Sequence, residues 1–356
     1  MATNGKDNNI LVKNLYYMLS YAFVALRQDR FQMMGTESFD NAENLFAAIL
    51  SIGIGQQLKQ GLYREYLSRE DDLPVLRGKL NFPGTIRQQI AHQKRLCCEY
   101  DELSENNLLN RILKTTALLL ITSGKVAPAY CAALKKEMLF FSSVDTVEPK
   151  SVQWSNLVYH RNNQTYQLLM GICRYVLDGM LMTEEDGTRH LASFVDSQEM
   201  HHLYEKFLLE YYRQEHKELD VSAPHIDWQL DDGYKDNLPI MQSDIVLQTK
   251  NTVLIIDAKY YQHTMQTHYN RQTVHSGNIY QIFTYVKNKE YELSKKGTAH
   301  KVSGMLLYAK TKDETQPDNR YQMSGTQISV RTLDLYRPFD EIRQSLDEIV
   351  AEHFYP

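Results

Sequence analysis

Residues 243–261, SDIVLQTKNTVLIIDAKYY, restrict the possible folds more than any other stretch of the chain. Asp244 opens the segment Ile245-Val246-Leu247, a polar turn follows at 249–252, and the apolar run 253–256 ends on Asp257. Aliphatic and β-branched runs bounded by polar turns read as buried strands, here two strands of a hairpin. Alternation along a strand puts Asp257 and Lys259 on one face and Ala258 on the other. In a hairpin Asp244 comes to lie across from Asp257. Two carboxylates and an ammonium then meet at a sheet edge, and the carboxylates raise each other's pKa unless a cation intervenes. Hard oxygen ligands with water positions to spare suit Mg²⁺. Such an ion lowers the pKa of a bound water and clamps a phosphate oxygen. Lys259 would orient or deprotonate that water, or neutralise charge in the transition state.

Several classes of protein are excluded around this stretch. A length of 356 residues suits two domains, with 43% hydrophobic and 23% charged residues as in an ordinary globular chain. No apolar run approaches the ~20 residues that cross a membrane. The opening MATNGKDNNI carries no apolar core of a secretion signal. Cys97, Cys98, Cys131 and Cys173 show no CxxC pairing, so reduced thiols in a cytoplasmic protein are expected. The 12 histidines form no HExxH-type spacing, and His201–His202 and His263/His268 read as surface residues. The net charge is −5, whereas a protein that grips DNA alone usually presents a basic surface. Either the basic residues are locally clustered or a partner supplies the DNA affinity. The 24 tyrosines suit an assembly, because tyrosine offers apolar area with a polar tip.

In chain order, residues 1–9 read as frayed, and apolar spacings of three and four from Ile10 to Leu26 predict an amphipathic helix. A second helix is expected over 42–66, with Gly53, Gly55 and Gly61 allowing close packing or an early end. An acidic loop over 69–76 leads to Arg77-Gly78-Lys79. That tripeptide reads either as a turn with solvated charges or as a basic projection meeting a partner or a phosphate. A strand over 96–101, a helix over 107–123 capped by Ser104 or Asn106, and a helix over 128–138 follow. The first domain closes somewhere between 145 and 165, placed at 155/156. Helices over 166–181 and 196–216 flank a polar loop at 183–190. Glu205 sits near the edge of the second helix's apolar stripe, as an exposed helical carboxylate or a third acid aimed at the site. A loop spans 220–240, the hairpin follows, and a polar loop at 263–278 precedes a helix over 279–289. On that helix Gln281 and Tyr285 share a face. Strands over 303–308 and 327–334 and a helix over 342–353 complete an α/β arrangement.

The order Glu205, Asp244, Asp257-x-Lys259, Gln281 resembles the PD-(D/E)xK nuclease core. Serine precedes Asp244 where that family's name has proline, and Asp257 stands where many members have Glu. The segments NLYYMLSYAF, RGKLNF with TIR, NRILKT, LYEKFLLEYYR, DIVL…LIIDAKYY and NIYQIFTYV together resemble, over nearly the whole chain, the McrC family of McrBC restriction systems. The resemblance implies a docking domain of mixed helix and strand at 1–155 and a nuclease domain at 156–356 with a central mixed sheet flanked by helices. It implies Mg²⁺ held by Asp244 and Asp257, Lys259 acting on the nucleophilic water, and Glu205 and Gln281 completing the site. It further implies an McrB-like AAA+ GTPase hexamer that binds GTP, recognises double-stranded DNA carrying modified cytosine and is stimulated by the chain's first half. Arg77 and Lys79 would then lie on a finger in the partner's pore. No GxxxxGK[ST] loop occurs here, so GTP belongs to the partner. The alternatives are a non-catalytic adaptor of the GTPase motor and a structural ion pair at a sheet edge.

Overall fold

A computed structural model describes the chain except residues 1–3, 28–30, 32–36, 38, 161–162, 164, 180–182, 186–187, 191–197, 262–264, 269–270, 296, 298–299, 311–315 and 356. It divides into two compact units, Glu43–Leu191 and a second built from Met1–Ala42 with Ala192–Pro356. The expected cut at 155/156 coincides with neither boundary, because the first helix packs with elements from the end of the chain.

The unit Glu43–Leu191 begins with α2 (Ala42–Gln60), which follows α1 (Asn4–Ala22) in the chain. Gly61 ends α2 with φ +88°, short of the expected 66. The acidic stretch expected as a loop is strand β1 (Glu65–Leu73). It pairs residue by residue with β3 (Leu96–Ser104), and β2 (Lys79–Leu80) lines the other side of β3. Polar side chains cover most of β1, so it lacks the apolar alternation that marks a half-buried strand. Helix α3 (Phe82–Ile90) carried no periodic signal; Asn81 caps it by accepting from Gly84 N–H at 3.0 Å. Helices α4 (Leu108–Thr122), α5 (Pro128–Met138) and α6 (Tyr166–Gly179) then bury Ile112, Leu113, Leu134, Ile172 and Val176. Asn107 caps α4, one residue beyond the expected candidates. The polar loop expected at 183–190 contains a short hairpin, β4 (Thr183–Glu185) with β5 (Thr188–His190).

In the other unit, α1 starts at Asn4, within the segment expected to fray. It packs on α7 (Gln198–Glu215), where Tyr21 meets Phe207 and Tyr211. The loop expected at 220–240 begins with β6 (Asp220–Ser222) and β7 (His225–Ile226); β7 pairs with β8 (Met241–Gln242). The hairpin is β9 (Ile245–Gln248) and β10 (Thr252–Lys259). The expected loop at 263–278 contains a second hairpin, β11 (Met265–His268) and β12 (Arg271–Val274). His263 lies outside the described residues, and of His268 only the backbone is described. After α8 (Ser276–Lys295) come β13 (Lys301–Ala309), β14 (Asn319–Met323), β15 (Thr326–Leu333) and α9 (Phe339–Phe354).

Six strands form one mixed sheet in the order β14-β15-β13-β10-β9-β6. β10, β13 and β15 run parallel, and the other neighbours pair antiparallel. A parallel pair needs a crossover, and α8 supplies it between β10 and β13. Val253 and Ile255 pack with Ile282 and Val286 of α8. Leu254 and Ile256, alternating with them, are equally buried, which is why β10 reads as a continuous apolar run. The result is the mixed sheet flanked by helices that was expected. Among the described residues no helix is long and apolar enough to cross a membrane, and all four cysteines are free thiols.

Candidate active site

The register Ile256↔Ile245 brings the next residues outward, Asp257 and Asp244, to facing positions at the end of the β9–β10 hairpin. The backbone N–H of Ala258 donates to Asp244 Oδ2 at 2.8 Å and fixes that carboxylate over the strand end. Lys259 Nζ stands 2.6 Å from Asp257 Oδ2, on the shared face that alternation requires. It also donates to Gln281 Oε1 at 3.3 Å. Gln281 Nε2 donates to the Tyr285 hydroxyl at 2.9 Å, and that hydroxyl donates to the Gln242 carbonyl at 3.0 Å. The chain of bonds sets the orientation of the Gln281 amide, so its oxygen faces the lysine. Tyr285, buried one helical turn beyond Gln281, is the member that sequence reasoning placed on the right face but gave no role.

Asp257 is 1% exposed and Lys259 8%. Asp257 Oδ2 is held by the Lys259 ammonium, whereas the buried Oδ1 has no N–H donor, and the Asp244 carboxyl lies beside the group. Burial pushes Asp244 up to about 7, with the charges of Asp257 and Glu205 adding to it and Lys259 and the Ala258 N–H opposing. Burial also raises Asp257, against the pull of Lys259. For Lys259 burial alone would lower the pKa, but the Asp257 and Asp244 charges outweigh it and the net shift is upward. The site therefore holds more negative charge than its one ammonium compensates.

Glu205 lies near enough to the acid pair to be felt there. Its charge acts on both aspartates, yet its carboxylate is clasped by the histidines of its own helix. His201 Nδ1 lies 3.0 Å from Oε1 and His202 Nδ1 3.5 Å from Oε2. Among the described residues the only group of three or more His, Cys, Asp or Glu whose ligand atoms all lie within 4.8 Å of one another is His201, His202 and Glu205. The two histidines, expected as plain surface residues, are thus engaged, and His201 is half-buried. Sequence reasoning tested only zinc-protease spacing and so passed over H-H-x-x-E.

A hard divalent cation fits the acid pair. A buried carboxylate oxygen, Asp257 Oδ1, without an N–H donor, and a second carboxylate close enough to be raised by its charge, are what such an ion satisfies. Arg77 and Lys79 belong to the other unit. Gly78 sits there at φ +70°, Arg77 lies 3.8 Å over the Tyr100 ring and 3.7 Å from Glu102, and Lys79 pairs in register with Glu99.

Fold and site together define a mixed α/β protein with an acid pair and a lysine at the end of a central strand. The chain belongs to the family described as McrBC 5-methylcytosine restriction system component, whose model matches residues 2–309. That is the restriction system its sequence motifs resemble. It is also similar to the type IV methyl-directed restriction enzyme EcoKMcrBC of Escherichia coli (strain K12). The two are 26% identical over 348 residues, which cover 97% of this chain and 98% of the relative. Two solved assemblies from Thermococcus gammatolerans match more weakly. A half-complex from a tetradecameric assembly of McrB AAA+ hexamers with bound McrC has a TM-score of 0.46 at 16% identity, covering 92% of this chain and 75% of that one. The McrBC complex has 0.40 at 19%, covering 57% and 58%. Likeness at that level adds nothing to the argument about the site.

Proposed function

We propose that this chain is the DNA-cleaving subunit of an McrBC-type restriction complex, a Mg²⁺-dependent endonuclease that works with an McrB-like AAA+ GTPase on DNA carrying modified cytosine. The observation that carries the reading is the buried Asp257, set beside a second buried carboxylate, Asp244, with Lys259 on its Oδ2. A structural ion pair has no use for the second carboxylate, which repels the first.

Asp244 and Asp257 would hold Mg²⁺, which when bound supplies positive charge at a phosphate oxygen and acidifies a coordinated water. Lys259 keeps its proton under the influence of two carboxylates. That suits neutralising charge that develops at the phosphate, or giving up a proton, better than abstracting one. Gln281 and Tyr285 hold the lysine in place. The absence of a nucleotide-binding loop and the net charge of −5 support a partner that binds GTP and carries most of the DNA affinity. For docking we assign the unit Glu43–Leu191. On and around its three-stranded sheet Tyr66, Val75, Leu76, Phe82, Ile86 and Ile90 are exposed, a concentration of apolar side chains that suits a protein partner.

The test uses the complete complex with GTP, Mg²⁺ and methylated DNA. Asp257→Ala and Lys259→Ala are each expected to abolish cleavage and leave stimulation of the partner's GTPase intact. Cleavage at the normal rate in either variant rules out the assignment. A wild-type complex that stimulates the GTPase yet leaves DNA uncut would make the chain an adaptor.

A further inference from the structure

We propose a second cation site, bordering the acid pair and selective for borderline divalent metals such as Zn²⁺ or Co²⁺, formed by His201, His202 and Glu205 on α7. On a helix with 3.6 residues per turn, Glu205 lies about 40° from His201 and about 60° from His202 around the axis. It therefore falls between the two histidines, and both rings can turn toward it. They do: the Nδ1 atoms lie 3.0 and 3.5 Å from the two carboxylate oxygens, and the three ligand atoms are mutually within 4.8 Å.

The donor set decides which ion is taken. Two imidazole nitrogens and one carboxylate oxygen match the three-ligand, open-position pattern of zinc. Mg²⁺ prefers oxygen and would favour the aspartates. All three side chains keep partial solvent access, at 22%, 45% and 28%, so an ion can enter and hold waters in its remaining positions. The surroundings favour a cation as well. Glu205 acts on Asp244 and Asp257 through its charge, so the cluster borders a region with excess negative charge. All three ligands come from one turn of a helix whose next residues, Phe207, Leu208 and Tyr211, are buried, so the frame is rigid before any ion arrives.

The site does not depend on the nuclease reading, and the experiment removes the acid pair from the measurement. The full chain carrying Asp244→Asn and Asp257→Asn is titrated with Co²⁺ and followed by visible absorption, with Zn²⁺ as competitor. One equivalent of Co²⁺ is expected to give a ligand-field band that Zn²⁺ displaces and excess Mg²⁺ does not. Adding His201→Gln and His202→Gln in the same background should remove the band, and Glu205→Gln should weaken it; circular dichroism confirms that each variant is folded. A band that survives loss of both histidines overturns the proposal. So does the absence of any band in the folded Asn variant, which leaves a hydrogen-bonded His–Glu cluster only.

Discussion

Asp244 and Asp257 face each other across the hairpin end, and the fold charges a penalty for keeping both ionised. Asp244 is raised from 3.8 to about 7. Between those values the folded chain keeps a proton that the unfolded chain has released. Without metal, stability from this group therefore falls as pH rises from about 4 to about 7, and the loss is complete above that. Asn at 244 carries no such penalty. By calorimetry in EDTA, the Tm of wild type minus that of Asp244→Asn is expected to fall as pH rises from about 5 to about 8. Because ligands must be deprotonated to bind, added Mg²⁺ should raise the wild-type Tm more at about pH 8 than at about pH 6. A Tm difference unchanged with pH would return Asp244 to an ordinary carboxylate. At this scale the pairing of Asp257 with Lys259 was legible, because a strand's period of two admits only one arrangement. The clasp on Glu205 rests on spacing as well, since positions 201, 202 and 205 share one side of a helix.

Among the elements, the β1-β3-β2 sheet departs most from its sequence signal, and its turn is the most constrained. Gly78 lies at φ +70°, and a Cβ there would stand 2.4 Å from the Glu99 carbonyl oxygen. Gly61 has a similar φ of +88° with nothing within 4 Å. Replacing either with Ala costs about 1–2 kcal/mol from the left-handed backbone. Gly78→Ala adds a collision with backbone that cannot move aside, so urea denaturation should show it as clearly the more destabilising of the two. Equal effects would mean the β2 strand shifts freely. Of the cations beside Gly78, Arg77 has surface contacts worth about 0–1 kcal/mol each and Lys79 is exposed. Arg77→Ala with Lys79→Ala is thus expected to leave the Tm nearly unchanged while lowering stimulation of the partner's GTPase. Unchanged stimulation returns them to an ordinary charged turn.

For the chain as a whole, the main surprise is that the first helix completes the unit formed by the last 165 or so residues. Asn14, 1% exposed on α1, donates through Nδ2 to the carbonyls of Leu335 and Arg337, both at 2.7 Å. Tyr17 stacks on Phe339 with ring centres 4.4 Å apart. Asn14→Ala leaves those carbonyls without their donor in a buried place, at a cost of about 1–3 kcal/mol. Hydrogen exchange should show the loss of protection in α1, α7 and α9 while α4–α6 stay protected. Protection lost evenly across the chain would mean that the two units unfold as one.

By itself the sequence determined the hairpin, the facing of Asp257 and Lys259, the face shared by Gln281 and Tyr285, and the long helices. Each rests on a period of two or 3.6 imposed by local backbone geometry. It also carried the family, because the motifs recur in order along nearly the whole chain. Only the tertiary structure decided that the polar β1 is a strand, that β6 and β14 edge the main sheet, and that α1 belongs with α7 and α9. An edge strand is held by a neighbour's backbone hydrogen bonds, and a domain by contacts between residues hundreds of positions apart, and neither leaves a local pattern to read. At the site, strand geometry set the two acids and the lysine in place and the turn of α7 set Glu205 beside His201 and His202, but only the fold brought that helix against the hairpin.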